Sequence, residues 1–313
     1  MRKYLPSVLT ALIIIVGIIL GLISGINLSA LQKETLKILI IITLSSVLYC
    51  FVVGEITGNT SQMDKLWSIL PIAYIWVIAI KGGFTLRLIV FAVIITLWGI
   101  RLTFNFARKG AYSIRFWEGK EDYRWAILRQ TKPFNNRIVW AIFDFLFISL
   151  YQNALVLAIT LPALASMEVA TFGAIDIFAS IMGLAFLVLE TVADEYQWKF
   201  YTKRDELLKD GKTLAEIESP YNKGFNTLGV WSVMRHPNYL GEQGIWCSLY
   251  FMSVGAGICK FGIFNWSIIG PLLLIFLFMG SSAMGEKITK GKYGEYADYQ
   301  SKVFKYLPIK KYR

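Results

Sequence analysis

Long apolar runs, repeated along almost the whole chain, are the feature that most limits what this sequence can fold into. They lie near residues 7–28, 36–53, 66–80, 85–106, 138–160, 173–193, 237–254 and 262–283. An α-helix needs about 20 mostly apolar residues to cross a lipid bilayer. Since 56% of the 313 residues are hydrophobic and only 17% are charged, the chain is too apolar for a soluble domain of this size. The sequence therefore predicts an all-α, polytopic membrane helix bundle with about seven or eight transmembrane helices.

The basic residues are distributed unevenly between the loops. Of 32 Lys and Arg residues, 23 fall in the segments 107–137, 195–236 and 285–313. The positive-inside rule places these segments, and with them both termini, in the cytoplasm. A net charge of +11 could also attract nucleic acid, but here the charges are confined to loops between apolar runs. We therefore expect an integral protein of the cytoplasmic membrane that contacts membrane lipids and does not bind nucleic acid.

Two further classes of protein are disfavoured by the sequence. Cys50, Cys247 and Cys259 show no paired spacing, and His236 is the single histidine, so neither a disulfide framework nor a metal site is predicted.

Met1 to Leu28 has a basic start and an apolar run, as a signal peptide has. The run is long for a signal peptide and lacks a small-residue cleavage site, so we interpret it as a retained first helix.

The block Trp231 to Trp246, WSVMRHPNYLGEQGIW, opens the seventh apolar run with polar and aromatic residues. Proline suits the first turn of a helix, so a helix is predicted from about Pro237. Asn238, Glu242 and Trp246 are spaced four and four, which places them on one helical face. An ionisable residue inside a membrane is costly unless it faces a partner or a wet cavity. Glu242 is therefore a candidate site residue, although a buried and satisfied carboxylate would also explain it.

Other polar residues fall at the ends of neighbouring runs. The fourth run ends in LWGIRLTFNFARKG, where Trp98, Arg101, Asn105 and Arg108 share a face, and the sixth places Glu190, Asp194 and Trp198 at intervals of four. If the spans alternate in direction, all these ends lie in one leaflet. We expect Arg101, Asn105, Asp194, Asn238 and Glu242 to line one cavity open to the cytoplasm. Arg108 would equally suit lipid headgroups.

The third run begins with SQMDKLWSILP, which places Asp64 near its start. Asp64 could serve as a helix N-cap, and Trp67 as a residue of the aromatic belt at the membrane surface. The tail, EKITKGKYGEYADYQSKVFKYLP, spaces Tyr293, Tyr296 and Tyr299 three apart between lysines. Such a tail is also typical of an amphipathic segment lying on anionic lipid.

Taken together, these blocks resemble the steroid 5-alpha-reductase family, in particular its uncharacterised bacterial membrane branch with the motif RHPNYxGE. The matching segments, in the family's order, are MDKLWSILP, LWGIRLTFNFARKG, EDYRW, ADEYQWKF, GVWSVMRHPNYLGE and KYGEY. A shorter motif, RHPxYxG, is similar to one in the isoprenylcysteine carboxyl methyltransferases and the sterol C-14 reductases. The resemblance divides the chain into residues 1–58, N-terminal transmembrane helices without a match, and residues 59–313, a reductase-like membrane domain.

The resemblance implies an oxidoreductase that transfers a hydride from NADPH to the double bond of a hydrophobic enone or isoprenoid-like lipid. It places the nicotinamide against Asn238, Glu242 and Trp246, with Asp194 on the preceding helix. The full cofactor-binding prediction is Arg101, Asn105, Arg108, Asp194, Arg235, Asn238, Tyr239, Glu242, Trp246 and Tyr296.

The substrate side departs from the family's pattern. The steroid reductases hold the substrate ketone with a Gln-Glu pair and a tyrosine, whereas this chain has QMDKLW and, at the tyrosine position, Trp98. An indole N–H donates a hydrogen bond but does not deliver a proton as a phenol does. We therefore predict Asp64, Tyr74 and Trp98 as candidate catalytic residues and leave the substrate open.

Two alternatives stand beside the reductase. An S-adenosylmethionine-dependent methyltransferase of the isoprenylcysteine type is favoured by RHPNYLG followed by Glu286 and KYGEY. The other is a non-enzymatic lipid-binding membrane protein that has kept the fold and lost the chemistry.

Overall fold

The computed structural model describes residues 5–312, and the basic start of the chain lies outside them. The described residues form helices, turns and loops, with no β-strand among them. The predicted all-α membrane bundle is confirmed. Its helices are α1 (Leu5–Ile23), α2 (Ala30–Thr57), α3 (Gln62–Leu66), α4 (Leu70–Lys81), α5 (Leu86–Ala107), α6 (Tyr123–Arg129), α7 (Arg137–Phe143), α8 (Gln152–Ala158), α9 (Leu161–Ala165), α10 (Ala174–Leu207), α11 (Pro237–Gly255), α12 (Ile269–Lys292) and α13 (Tyr296–Lys302).

Within the described part of the chain, five helical segments are long and apolar enough to span a membrane. These are Ala30–Thr57, Leu86–Ala107, Arg137–Ala158, Ala174–Leu207 and Trp266–Lys292. The third of them joins α7 to α8 through a π-helical segment, Asp144–Tyr151. Two shorter apolar helices, Leu12–Ile23 and Leu70–Lys81, accompany these five.

Several boundaries differ from those expected. The predicted third span, 66–80, is only 12 helical residues long in α4, about 18 Å at 1.5 Å per residue, because α3 and a turn take up its start. The first run stops at Ile23, and Gly25 follows with a positive φ of 76°. The segment between α10 and α11 contains four 3-10 turns, Lys209–Gly211, Leu214–Glu216, Tyr221–Lys223 and Gly229–Ser232.

The chain divides into two compact units, which do not follow the order of the sequence. The larger unit contains Thr10–Ser180 and Ser248–Leu274. The smaller unit contains Ile181–Cys247 and Ile275–Arg313, together with Met1–Leu9. The division into residues 1–58 and 59–313 stays a prediction.

The larger unit is organised around buried apolar side chains of α2, α4 and α5. Leu39, Tyr74, Ile78, Leu88 and Trp98 are all 0% exposed. Local signals in the sequence explain where its helices begin and end: Ser29 and Gln32 form a reciprocal capping box at the start of α2, and Gly58 takes the left-handed conformation after its end.

The smaller unit contains most of α10, the first half of α11, most of α12 and the tail. With 34 residues, α10 is about 51 Å long, so it exceeds the roughly 30 Å hydrocarbon layer. Its polar end therefore extends past the apolar layer. Pro237 is the first residue of α11, as expected from its missing N–H.

Candidate functional site

Two glycines set the distance between α10 and α11 in the smaller unit. A Cβ atom on Gly241 would lie 2.6 Å from Cβ of Glu190 and 2.9 Å from the carbonyl oxygen of Phe186. A Cβ atom on Gly244 would lie 2.3 Å from the Phe186 ring. Glycine is therefore needed at both positions for the helices to approach this closely. The GEQG part of the central block is thus a helix-packing surface.

This close packing brings together the polar residues that the sequence predicted on α10 and α11. The Asn238 amide nitrogen lies 3.5 Å from an Asp194 carboxylate oxygen, at the limit of a hydrogen bond. Asp194, Glu242 and Glu190 are 8%, 5% and 3% exposed, and Trp246 is fully buried. Three acids and an amide therefore lie in the buried interior of one unit, where polar groups need partners. We call Glu190, Asp194, Asn238 and Glu242 the acid–amide cluster.

A second polar cluster fixes the start of α11 to the tail. Glu286 of α12 accepts hydrogen bonds from Nε of Arg235 at 2.8 Å and from the Gln300 amide at 2.7 Å. His236 Nε2 lies 2.9 Å from the same Glu286 oxygen that Arg235 binds. Arg235 also donates to the carbonyl oxygens of Gln300 and Val303. We call Arg235, His236, Glu286 and Gln300 the tail clamp.

The tail clamp has a titratable centre. Burial lowers the pKa of His236 below its ordinary value, against the opposing effect of the hydrogen bond with Glu286. The ring of Tyr239 stacks on the His236 ring with centroids 5.2 Å apart. Two predicted cofactor ligands therefore lie at the tail clamp. Arg235 belongs to it, and Tyr239 stacks on its histidine.

Tyr296 lies in an aromatic cluster that packs the tail against the loop before α11. Phe225, Tyr296, Tyr299 and Val303 form the buried core of this cluster. The Tyr299 hydroxyl donates to the carbonyl oxygens of Trp231 and Met234. Burial raises the pKa of both Tyr296 and Tyr299, so both phenols are neutral at physiological pH. The regularly spaced tyrosines, which suggested a tail lying on the membrane surface, therefore pack inside the protein.

In the larger unit, the QMDK segment binds the basic loop that follows α5. Asp64 accepts a hydrogen bond from the indole of Trp125 at 2.9 Å. Lys65 is fully buried and donates to the carbonyl oxygens of Phe116 and Glu118 at 2.8 and 2.6 Å. Burial, followed by the nearby Asp122 carboxylate, raises the pKa of Asp64. Its neighbours are therefore a loop helix and a buried lysine, and Asp64 itself lies inside α3 rather than at its N-cap.

The other two predicted catalytic residues are both completely buried. Tyr74 and Trp98 are 0% exposed, and the Tyr74 hydroxyl lies 2.8 Å from that of Thr43. Gly99 explains the close packing beside Trp98, since a Cβ atom there would lie 2.5 Å from the Ser68 carbonyl oxygen. A phenol hydroxyl on α4 and an indole on α5 are thus both buried in the larger unit.

The basic end of α5 forms a short polar ladder. Nε and Nη2 of Arg108 donate to the Asn105 side-chain oxygen at 3.0 and 2.8 Å. Asn105 is 7% exposed, whereas Arg101 and Arg108 are partly exposed. The expected single cavity would combine these residues with the acid–amide cluster of the other unit, and it stays a prediction.

Sequence reasoning missed several buried charges. Arg87, near the start of the fourth apolar run, was not among the predicted site residues, yet it forms a fully buried ion pair with Asp176 at 2.7 Å. Lys65, which was not among the predicted site residues, is also fully buried. For Arg87 a signal existed, because it lies inside an apolar helix where a charge needs a partner. No three His, Cys, Asp or Glu residues in the described chain are grouped as metal ligands.

Comparison with known proteins shows which family the chain belongs to. Residues 50–303 match the protein family of unknown function DUF1295. The chain belongs to this family. DUF1295 includes steroid 5-alpha-reductase-like proteins, and its match covers both the acid–amide cluster and the QMDK segment. An uncharacterized protein of the fission yeast Schizosaccharomyces pombe is 34% identical over 279 residues, which cover 84% of this chain and 78% of the yeast protein. No solved structure matches this DUF1295 protein.

Proposed function

We propose that this protein is a membrane-embedded, NADPH-dependent reductase of a hydrophobic enone or isoprenoid-like lipid. The observation that carries the proposal is the acid–amide cluster, held by the close glycine packing of α10 and α11. Polar groups inside an apolar membrane protein are costly and mark ligand sites by default. Their residue types are those that a nicotinamide carboxamide requires.

The residues of this cluster fit the carboxamide end of the cofactor. A carboxamide presents an N–H₂ donor and a C=O acceptor. Glu242 and Asp194 supply carboxylate acceptors. The Asn238 amide, about one helical turn before Glu242 on α11, supplies a donor. The phosphates would be held by arginine and lysine, for which Arg101 and Arg108 are our candidates. When bound, NADPH would supply the hydride.

For the substrate site, our proposal is based on buried hydrogen-bonding side chains of the larger unit. Asp64, Tyr74 and Trp98 are the candidates for polarising the carbonyl group of an enone. The Tyr74 hydroxyl, already 2.8 Å from Thr43, combines a hydrogen-bond donor with an apolar surrounding. Other buried side chains of α2 and α4 are apolar, among them Leu39, Ile75 and Ile78, and apolar surroundings suit a hydrophobic substrate.

We further propose membership of the branch with the RHPNYxGE motif and residence in a bacterial cytoplasmic membrane. The supporting observation for orientation is the set of 23 basic residues in three segments. Cysteines introduced into the 107–137 loop should react with an impermeant reagent only after the membrane is permeabilised. Labelling of this loop in intact cells would contradict the orientation.

Thermal stabilisation of the purified protein tests the choice of cofactor. A ligand that binds only the folded state stabilises it by about 2.7 kcal/mol at a hundredfold excess over its Kd. NADPH should raise the melting temperature, and S-adenosylmethionine should not. Glu242→Gln and Asp194→Asn should each weaken the NADPH shift, because each removes an acceptor from the cluster.

Matched controls separate a local effect from general loss of stability. Asp205→Asn, in the same helix as Asp194 but 63% exposed, should keep the full NADPH shift. A shift with S-adenosylmethionine alone would instead support a methyltransferase. No shift with either ligand would support a non-enzymatic lipid-binding protein.

A further inference from the structure

A cavity lies in the larger unit, at the end where α1 joins α2. Its volume is about 280 Å³. It is lined by residues of three connecting segments and of the adjoining ends of α2 and α9: Ser24, Gly25, Asn27, Gln32, Ala165, Glu168, Val169, Ile258, Lys260, Asn265 and Trp266. These segments join α1 to α2, α9 to α10 and α11 to α12. If the helices cross the membrane in turn, all three lie at the same membrane surface.

Each wall of the cavity is fixed by a buried polar side chain. The Gln32 amide donates to the carbonyl oxygens of Leu164 and Ala165 at 3.1 and 3.2 Å. Asn265 accepts from the backbone N–H and hydroxyl of Ser267, and its amide donates to Ser253 at 3.1 Å. These side chains are 8% and 2% exposed. Their polar groups serve the walls themselves, so the cavity exists before any ligand arrives.

The buried ion pair Arg87–Asp176 fixes the third wall. Arg87 donates to the carbonyl oxygens of Val169 and Thr171, at 2.7 and 2.5 Å. Asp176 accepts from the backbone N–H of Gly173 at 2.9 Å. The irregular segment that carries Glu168 is therefore held by a fully buried pair of charges. This explains how a non-helical segment at a membrane surface keeps one conformation.

The two charged residues of the cavity are not used for its structure. Among the side chains that the structure describes, Lys260 and Glu168 take part in no ion pair or side-chain hydrogen bond. The Lys260 amino group lies above the backbone of Gly25, 3.5 Å from where a Cβ atom would be. One cation and one anion thus line a single preformed cavity, with the indole of Trp266 beside them.

We propose that this cavity binds the headgroup of a zwitterionic phospholipid, phosphatidylethanolamine in particular. Lys260 would bind the phosphate, and Glu168 would accept hydrogen bonds from the primary ammonium group. The volume equals that of about nine water molecules at roughly 30 Å³ each, enough for a phosphoethanolamine group but not for acyl chains. Ile26, Phe261 and Ile263 of the same segments are 54%, 49% and 46% exposed, and they provide an apolar surface for those chains. This surface favours a membrane lipid over a soluble zwitterion.

Titration of the full-length protein in detergent with dihexanoyl phospholipids tests the proposal. Binding of the phosphatidylethanolamine should be at least about tenfold tighter than that of the phosphatidylcholine and phosphatidylglycerol analogues, because these lack an N–H donor or a cation. Lys260→Met and Glu168→Gln should each lose about tenfold. Asn27→Trp, which narrows the cavity and keeps both charges, should lose binding too.

The control is Lys33→Met, since Lys33 is an exposed lysine near the start of α2 that does not line the cavity; it should bind as the wild type does. Melting temperatures measured without lipid confirm that each variant is folded. Equal affinity for all three lipids, or wild-type affinity in both Lys260→Met and Glu168→Gln, overturns the proposal. Equally tight binding of soluble O-phosphoethanolamine overturns the assignment to a membrane lipid.

Discussion

Two buried charge clusters in this protein, one in each unit, are built on different principles. In the larger unit, Arg87 and Asp176 are both 0% exposed, and each is also bonded to backbone groups. In the smaller unit, the side chains of Arg235, His236 and Glu286 are 11%, 12% and 8% exposed, and a histidine is among them. The first cluster is sealed from water and contains no histidine. The second retains contact with water and can change its protonation.

The difference assigns the clusters different roles. A sealed pair of arginine and carboxylate behaves as a fixed structural anchor, because separating or neutralising either charge leaves the other buried alone. The tail clamp lies directly before the start of α11, the helix that carries Asn238 and Glu242. We therefore expect a change in the clamp to affect the acid–amide cluster. The following predictions test this contrast in order of expected size.

The largest effect is expected for the sealed pair. Arg87→Ala should lower the free energy of unfolding by about 3–5 kcal/mol, because it leaves Asp176 buried without its partner and frees the carbonyls of Val169 and Thr171. Unfolding by denaturing detergent, followed by circular dichroism, measures it. Lys81→Ala is the control, since Lys81 pairs with the exposed Glu34, and it should change stability little. Equal effects in both variants would refute the idea of a sealed anchor.

The next effect concerns the packing that forms the acid–amide cluster. Gly241→Ala should cost about 1–3 kcal/mol and abolish the NADPH-dependent shift, since its Cβ atom would meet Glu190 at 2.6 Å and force the helices apart. Gly280→Ala is matched to it, because nothing lies within 4 Å of a Cβ atom there, and the helical alanine should be tolerated. A Gly241→Ala protein that keeps wild-type stability and ligand response would show that the packing is not needed.

A smaller loss is expected at the tail. Tyr299→Phe removes the hydroxyl that donates to the carbonyls of Trp231 and Met234, which should cost about 1–2 kcal/mol. Limited proteolysis should then cut the tail faster than in the wild type, with the fragments identified by mass spectrometry. Tyr312→Phe removes a more exposed hydrogen bond, to Asp298, and serves as the comparison. If both variants are cut at the same rate, the buried phenol does not hold the tail.

The smallest effect is a dependence on pH that only the tail clamp should show. Since burial lowers the pKa of folded His236 below its ordinary value of 6.5, the unfolded chain binds more protons in the window just below pH 6.5. Stability should therefore fall as the pH is lowered through this window and be fully recovered above it. Melting temperatures between pH 5 and 8 measure the slope, which His236→Gln should flatten. An unchanged slope in that variant would assign the dependence to another group.

Much of the site could be predicted from the sequence, because its patterns are local. The apolar runs indicate two helices, each with 3.6 residues per turn. On the first, Glu190 and Asp194 therefore share a face; on the second, Asn238, Glu242 and Trp246 do. Pro237 marked the start of α11 correctly. Whether these residues bind a cofactor is a separate question, which the NADPH measurements address.

What the sequence could not predict involves partners far apart along the chain. Glu286 lies 50 residues from His236, and Asp176 lies 89 residues from Arg87, so no periodicity connects them. Gly241 and Gly244 looked like ordinary helix residues until their contact with Phe186 and Glu190 was known. The same holds for Tyr296, whose regular spacing suggested a lipid surface and whose ring is buried in a core.

By itself, the sequence determined that this chain is a helical membrane protein and which faces of its helices carry polar groups. The reason is that the cost of placing charges and unpaired backbone groups in lipid is large and acts residue by residue. Only the tertiary structure decided which charges pair, which glycines permit close packing, and which connecting segments enclose a cavity. Those outcomes depend on contacts between side chains from distant segments of the chain. Such contacts determine both the free energy of a buried charge and the packing of one helix against another.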